Sequence, residues 1–336
     1  MRKIILVTKE ELKDEYYQKY LIKDCYFSSS TLEKYMNIGR LLILNIDNLN
    51  FDRAKEILLL IYKYRYSVYS FKECIGHHFL RYINKNEITF INNIEDVEEN
   101  YDFSKYRNIY HIGDVHGCYL TLIKFWNNYY NKDDLFIFLG DLIDRGEHSI
   151  EVLKFCLEKK DLPNVIFLEG NHDSSLWYYS QSNYPKMQRS FTETFEELTH
   201  SDISKYDLEK FMLKTKECIS YRYYEKNVLL SHGGVLSFPK KLFVLDSSNY
   251  INGQGNDYTQ VDKIFMDRTD WVYYQIHGHR NIYGYNSDKY IGSQNLEGGI
   301  EYGGSLRVSK LNRRGFSFLY FKNYQSHIKD YVKRSS

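Results

Sequence analysis

Long apolar runs are missing near the start of the chain, where only Ile4-Ile5-Leu6-Val7 stands between Lys3 and the polar pair Thr8-Lys9. Four apolar residues are too few for the core of a signal peptide or for a bilayer span. Cysteine is sparse. The five present (Cys25, Cys74, Cys118, Cys156, Cys218) are odd in number and form no CxxC pair, which argues against a disulfide framework or a structural zinc site. These absences predict a soluble protein with reduced thiols and no membrane partner, in the cytoplasm or, if the source is a phage, the host cytoplasm. Net charge is also lacking: 45 Lys and Arg against 44 Asp and Glu leave +1, so no global field draws in nucleic acid or a membrane surface. Glycine is absent before Gly39. That excludes a Gly-rich cradle for a triphosphate behind the first apolar run.

Tyrosine, by contrast, occurs 34 times, and prolines number only three. With many Lys, Asn and Ile, this reads as codon usage in an AT-rich genome, that of a low-GC bacterium or its phage, more than as a surface for stacking on bases. A length of 336 residues suffices for one large domain or two ordinary ones. Residues 93–100 are acidic, with too few apolar positions to set a period, and read as a connector. Residues 1–100 and 104–325 are therefore expected to form separate domains.

Downstream of the connector the rhythm is strand, polar loop, helix. Residues 108–112, 135–139, 165–168, 228–230 and 272–276 are short apolar runs, and each stops at a polar cluster. The clusters are Gly113-Asp114-Val115-His116-Gly117, Gly140-Asp141-Leu142-Ile143-Asp144-Arg145-Gly146, Gly170-Asn171-His172-Asp173, Ser231-His232-Gly233-Gly234 and His277-Gly278-His279-Arg280. Tyr119, Leu122, Ile123, Trp126 and Tyr130 share one helical face, and Ile150, Leu153 and Leu157 mark a second helix. Open α/β sheets present ligands at the C-terminal ends of their strands, which is where every cluster falls. Residues 306–311 and 316–321 alternate as antiparallel strands and are expected to join a second sheet.

The five clusters resemble, in order, the signatures of the phosphoprotein phosphatase branch of the calcineurin-like metallophosphoesterases: GDxHG, GDxxDRG, GNH with an acid, a His before Ala/Gly-Gly, and a late GH. The likeness runs from about residue 109 to about residue 321, roughly two thirds of the chain. It is greatest to the phosphatase modules of bacterial and phage polynucleotide kinase-phosphatases; phage-type protein phosphatases and diadenosine tetraphosphatases share the same core. The resemblance implies an α/β fold of two packed mixed β-sheets flanked by helices, with a smaller α/β N-terminal domain.

It also implies two divalent metal ions bridged by Asp141. Asp114 and His116 complete the ligands of the first ion; Asn171, His232 and His279 join Asp141 around the second. Such a mixed oxygen and nitrogen set suits manganese first, with iron, zinc, nickel or magnesium as alternatives. Asn281 stands where broader relatives carry a further His, which leaves the first ion more open. His172 resembles the general acid that protonates the leaving oxygen, Asp144 the carboxylate that orients it, and Arg145 the fork that grips phosphate. A second phosphate-binding arginine is not marked by any motif; Arg189 and Arg280 are the candidates. His277 and Cys118 read as packing residues, and Asp173 receives no catalytic role. Two Gly-rich stretches, 252–258 and 295–304, are expected to shape the cleft.

Residues 1–100 have α/β character of their own: strands at 3–7 and 41–44, and a helix with Ala54, Ile57, Leu58, Ile61 and Tyr62 on one face. Asp47-Asn48-Leu49-Asn50-Phe51-Asp52-Arg53 before that helix resembles a fragment of a polynucleotide-kinase-type P-loop domain. Thr8-Lys9-Glu10-Glu11-Leu12-Lys13-Asp14-Glu15 stands where the P-loop belongs, so no kinase activity is expected. The expected function is hydrolysis of phosphate esters by metal-activated water, with a phosphorylated partner: a nucleic-acid end, a phosphoprotein, or a nucleotide such as a dinucleoside polyphosphate. The non-enzymatic alternative is a binding module on the same scaffold. Such modules usually lose metal ligands, whereas all six positions here are filled. Oligomeric state is not legible in the sequence.

Overall fold

The computed structural model describes residues 2–8, 29–47, 49–71, 79–80, 83, 87–257, 260–280 and 291–323. Residues 9–15 behind the first strand, Cys25, Cys74, Asn48, Tyr258 and Asn281 lie outside the described residues. The chain divides into two compact units, Met1–Asn100 with Pro239–Ser248, and Tyr101–Phe238 with Asn249–Ser336.

In the first unit, strands β1 (Lys3–Val7), β2 (Leu42–Asn45), β3 (Ser67–Phe71) and β4 (Ile88–Ile91) form a parallel sheet in the order β2-β1-β3-β4. The apolar run Ile4-Ile5-Leu6-Val7 is buried, as an inner strand of a parallel sheet requires. Helix α1 (Ser29–Asn37) precedes β2, and helix α2 (Phe51–Lys63) follows it. Asn50 caps α2, its side chain accepting from the Arg53 N–H at 2.9 Å. The buried face of α2 is Ala54, Ile57, Leu60 and Ile61; Tyr62, expected on that face, is exposed, and Leu58 only half buried. The acidic connector carries more structure than its composition suggests. Residues Ile94–Val97 form a 3-10 turn closed by a reciprocal Asn93–Asp96 capping box, with Ile94 and Val97 buried. Pro239–Ser248, remote in sequence, joins this unit, where Arg40 grips Asp246 at 3.1–3.2 Å.

The second unit holds two five-stranded sheets. One has the order β14-β13-β6-β7-β8, from β6 (Ile109–Ile112), β7 (Leu135–Phe138), β8 (Val165–Phe167), β13 (Ser305–Asn312) and β14 (Gly315–Lys322). The other has the order β12-β11-β10-β9-β5, from β5 (Tyr101–Asp102), β9 (Cys218–Tyr223), β10 (Lys226–Ser231), β11 (Tyr273–His277) and β12 (Ser293–Asn295). The sheets face each other across Ile109, Leu135, Ile137 and Leu139 from one side and Ile219, Tyr221, Val228, Leu230 and Ile276 from the other. The opposite face of the first sheet, with Tyr110, Ile112, Phe136 and Phe138, is covered by helices α3 (Tyr119–Tyr129), α4 (Ser149–Lys159), α5 (Ser174–Ser180) and α7 (Lys205–Lys214), while α6 (Thr192–Thr199) adds Leu198. Because both faces of β7 are buried, its sequence is uniformly apolar rather than alternating. Phe138 and Phe167 stack at 4.8 Å within that helical layer.

The β13–β14 hairpin corrects one expectation. It extends the sheet of β6, β7 and β8, pairing β13 antiparallel to β6 with Leu311 opposite Ile109. The crossovers from β6 to β7 and β8 all run to one side, leaving the other edge of β6 to be covered by the tail.

Candidate active site

The five polar clusters follow β6, β7, β8, β10 and β11, so both sheets deliver residues to one end of the sandwich. The backbone there is forced into unusual shapes. Among the described non-glycine residues, positive φ occurs at His116 (41°), Asp141 (49°), Asp144 (70°), Arg145 (69°) and His279 (65°), five of eight such positions. Left-handed backbone at bulky residues costs free energy and persists where surrounding contacts over-determine it, typically at functional loops. Glycine is needed for closeness as well. A Cβ on Gly278 would lie 1.9 Å from Asp114 Oδ1.

Asp141 lies at the centre. Its Oδ2 is 3.5 Å from His116 Nε2 and 3.2 Å from His232 Nε2, while its Oδ1 accepts the His172 N–H at 3.0 Å. Both imidazoles are tied from behind. His116 Nδ1 faces the Ile143 carbonyl and His232 Nδ1 the Leu139 carbonyl, each at 3.0 Å. A backbone carbonyl holds the proton on Nδ1, so each Nε2 presents a lone pair toward Asp141, the arrangement metal-ligating histidines use. Asn171 Oδ1 is 3.1 Å from His232 Nε2, and the His279 N–H donates to Asp114 at 3.1 Å. Three sets of ligand atoms lie within 4.8 Å of one another: His116, Asp141 and His172; Asp141, His232 and His279; Asp114, His116 and Glu297. Asp141 belongs to two of them.

The electrostatics fit cations at this place. Burial, Glu297 and Asp141 together hold the Asp114 carboxyl well above the usual range. Asp141 also pays for burial, but His232, His116 and His172 around it keep its pKa well below the ordinary value. Burial and His232 push His279 down to about 3, leaving its ring neutral with a lone pair to give. Carboxylates crowded together beside imidazoles are the donor set of a divalent-metal centre, and the residues present suit two ions.

Beside this cluster stands a hydrogen-bonded pair. His172 Nδ1 is 2.7 Å from Asp144 Oδ2, and Asp144 Oδ1 accepts from the Thr194 hydroxyl at 2.7 Å. Ser190 Oγ approaches His172 Nδ1 at 3.3 Å. Arg145 spans the mouth, with Nη1 3.0 Å from His116 Nε2 and 2.8 Å from Glu301 Oε1, and Nη2 3.0 Å from His172 Nε2. Burial disfavours its charge, yet Glu301 outweighs that and raises its pKa above the ordinary value.

All nine residues singled out by the motifs thus meet at one locus. Arg280 does not serve there as a phosphate ligand. It is buried and donates to the carbonyls of Gly233 and Gln254, both at 2.6 Å, bracing the fourth cluster against stretch 252–258. Arg189 is exposed in a 3-10 turn beside Ser190. His277 is buried against Asp262 at 2.9 Å, and Cys118 is a buried thiol that burial and Glu301 push up to about 12. Asp173 ties two clusters together, accepting the N–H groups of Leu142 and Gly170 at 2.9 Å. Motifs missed Glu297, Glu301, Thr194, Ser190 and Gln188, whose Nε2 donates to the Asn171 carbonyl at 2.6 Å. The two glutamates were findable as the acids of Gly-rich stretch 295–304; the other three sit in sequence without a distinguishing pattern.

A two-sheet α/β sandwich with a carboxylate–imidazole cluster at its strand ends, an arginine and a carboxylate-paired histidine belongs to the class of metal-dependent phosphoesterases. Residues 107–313 match the family model for calcineurin-like phosphoesterase, and the chain belongs to that family. It is similar to the symmetrical bis(5'-nucleosyl)-tetraphosphatase of Coxiella burnetii, 34% identical over 145 residues, which cover 41% of this chain and 45% of that protein. The chain thus spans about half the length of that relative. The asymmetrical bis(5'-nucleosyl)-tetraphosphatase of Halalkalibacterium halodurans is 25% identical over 217 residues, covering 58% of this chain and 86% of its own length. Among solved structures, one named "a putative diadenosine tetraphosphatase" superposes with a TM-score of 0.52 at 16% identity, covering 68% of this chain and 98% of that chain, a likeness of fold.

Proposed function

We propose that the protein is a two-metal hydrolase of phosphate esters and anhydrides whose substrate carries a nucleotide, a dinucleoside polyphosphate first. The observation that carries this is the sharing of Asp141 between two His-bearing groups, with the His172–Asp144 pair and Arg145 alongside. The names of the two relatives support the substrate class. Two divalent ions, manganese first, would be held by Asp114, His116 and Asp141 and by Asp141, Asn171, His232 and His279, offsetting phosphate charge and lowering the pKa of a water from about 15.7 toward about 7. Arg145 grips a phosphate oxygen with the charge and planar fork such recognition needs. His172 gives its proton to the departing oxygen while Asp144 fixes the ring.

Nucleic-acid ends are the second reading, supported by the likeness of the motifs to end-repair phosphatase modules. Residues 1–100 belong to that reading as a separate kinase-like domain without a phosphate loop. A screen of metal against substrate tests the proposal, using a dinucleoside tetraphosphate, RNA with 3'-phosphate or cyclic ends, and a phosphopeptide. The dinucleoside tetraphosphate should give the highest kcat/KM with manganese, and Asp114→Asn and His172→Ala should lower it at least a hundredfold. Wild type and both variants equally inert on all substrates would remove the basis for catalysis.

A further inference from the structure

Glu301 stands inside the site, yet none of the motifs includes it. It lies in the 3-10 turn Ile300–Tyr302, between Gly299 and Gly303, both in left-handed backbone. Its side chain is 1% exposed. Oε1 accepts from Arg145 Nη1 at 2.8 Å and lies 3.9 Å from His116 Nε2. Oε2 is buried and makes no hydrogen bond among the described residues. A buried carboxylate with one oxygen unanswered is costly, so its presence at the phosphate-gripping arginine calls for a reason.

We propose that Glu301 is a specificity-determining residue that selects substrates whose scissile phosphorus carries a single negative charge, an interior anhydride or a diester, over fully ionised monoesters. The inference deepens the hydrolase reading above and rests on it for the use of the site. Its physical basis is charge and proton supply. Glu301 offsets part of the positive charge of the arginine that meets the phosphate, and, buried as it is, it repels every additional negative charge on the ligand. Oε2 can only accept a hydrogen bond, and a fully ionised phosphate has no proton to offer it. An interior phosphoryl group brings one charge fewer, and where a nucleoside is esterified to it, as in an α-phosphate or a diester, the sugar carries hydroxyl donors.

Two anions isolate the charge effect from turnover: methylphosphonate at pH 8, mostly doubly charged, without a proton in that form and without an ester to cleave, and dimethyl phosphate, singly charged and likewise without a proton. Calorimetric titration into manganese-loaded protein compares wild type with Glu301→Gln and Glu301→Leu, which both remove the charge, and with Glu301→Asp, which keeps it. Removing the charge should tighten methylphosphonate at least about tenfold more than it tightens dimethyl phosphate, equivalent to about 1.4 kcal/mol. Glu301→Asp should stay near the wild-type ratio. In parallel, the ratio of kcat/KM for p-nitrophenyl phosphate to that for bis-p-nitrophenyl phosphate should rise by a similar factor in the charge-removing variants. Glu301→Leu stands in if the Gln variant fails to fold. Equal changes for both anions, or none, overturn the proposal whether or not the protein turns over either ester. Loss of turnover on both esters in the wild type counts against the hydrolase reading alone, because the binding ratio still decides the role of Glu301.

Discussion

His172 and Asp144 form a buried pair whose geometry fixes one ring orientation. Asp144 Oδ2 lies 2.7 Å from His172 Nδ1, and Thr194 engages the other carboxylate oxygen. The Asp144 N–H in turn donates to Ser149 Oγ at 3.1 Å, so the carboxylate is held from its own backbone as well as from α6. With Nδ1 occupied, Nε2 is turned toward Arg145, 3.0 Å from its Nη2. Pairs of this kind serve proton transfer because the second residue chooses the tautomer of the first.

Asp144→Asn should therefore hurt reactions in proportion to how much the leaving group needs a proton. On phenyl phosphate, a poor leaving group, kcat is expected to fall about 100- to 10,000-fold. On p-nitrophenyl phosphate, whose phenolate departs unaided, the loss should be at least tenfold smaller. Equal losses on both esters would assign Asp144 to structure instead of proton transfer.

Asp141 is the side chain that joins the group containing His116 and His172 to the group containing His232 and His279. Asp141→Asn should lower bound manganese from two ions per chain to one or fewer, measured by elemental analysis after gel filtration. The rise in melting temperature on adding manganese should shrink with it, since a ligand stabilises only the state that binds it. His279→Ala, which belongs to one group, should retain part of that rise. Full metal content in Asp141→Asn contradicts the bridging role.

Gly278 tests the close approach of backbone to carboxylate. A methyl group there would strike Asp114 Oδ1, and Asp114 must shift because Gly278 sits in the loop directly behind β11. Gly278→Ala is expected to weaken manganese binding about 10- to 100-fold, as disturbed support of a ligand generally does. Far-UV circular dichroism should stay unchanged, since the clash is confined to a side chain at the edge of the cavity. Wild-type affinity in this variant would mean that Asp114 is not placed by that contact.

How much of this was legible beforehand differs by element. The run from Leu135 to Leu139 identified β7 because a strand buried on both faces leaves no alternative composition, and the polar clusters marked the strand ends. Tyr62 misled because its spacing matches the buried face of α2 while its ring lies toward solvent. Alternation told which face of β13 is apolar, yet not which edge it would join, since partner choice depends on crossovers elsewhere in the chain. Pro239–Ser248 carries no signal of belonging with residues 1–100, because long-range docking leaves no periodic trace. Thr194, Ser190 and Gln188 reach the site through the fold of the segment after α5, and a lone hydroxyl or amide in sequence is indistinguishable from a turn residue.

His111, held between Ser309 of one sheet and Tyr221 of the other, contributes to stability at acid pH. Its Nδ1–H donates to the Ser309 carbonyl at 2.9 Å, and its Nε2 accepts from the Tyr221 hydroxyl at 2.8 Å, so the neutral ring is fully satisfied. Burial pushes its pKa from 6.5 down to about 3. Below pH 6.5 the unfolded chain takes up a proton that the folded one refuses until about pH 3, so stability present above 6.5 is lost as pH falls through that window. The loss from this one residue approaches about 1.4 kcal/mol per pH unit in the middle of the range. His111→Gln keeps a donor and an acceptor but cannot titrate. At pH 7 it should be less stable by about 1–3 kcal/mol for imperfect hydrogen bonding. Between pH 6 and pH 4 its urea midpoints should fall less steeply than those of the wild type, narrowing or reversing the gap. Parallel curves over that range would show that His111 accepts its proton in the folded state at an ordinary pH.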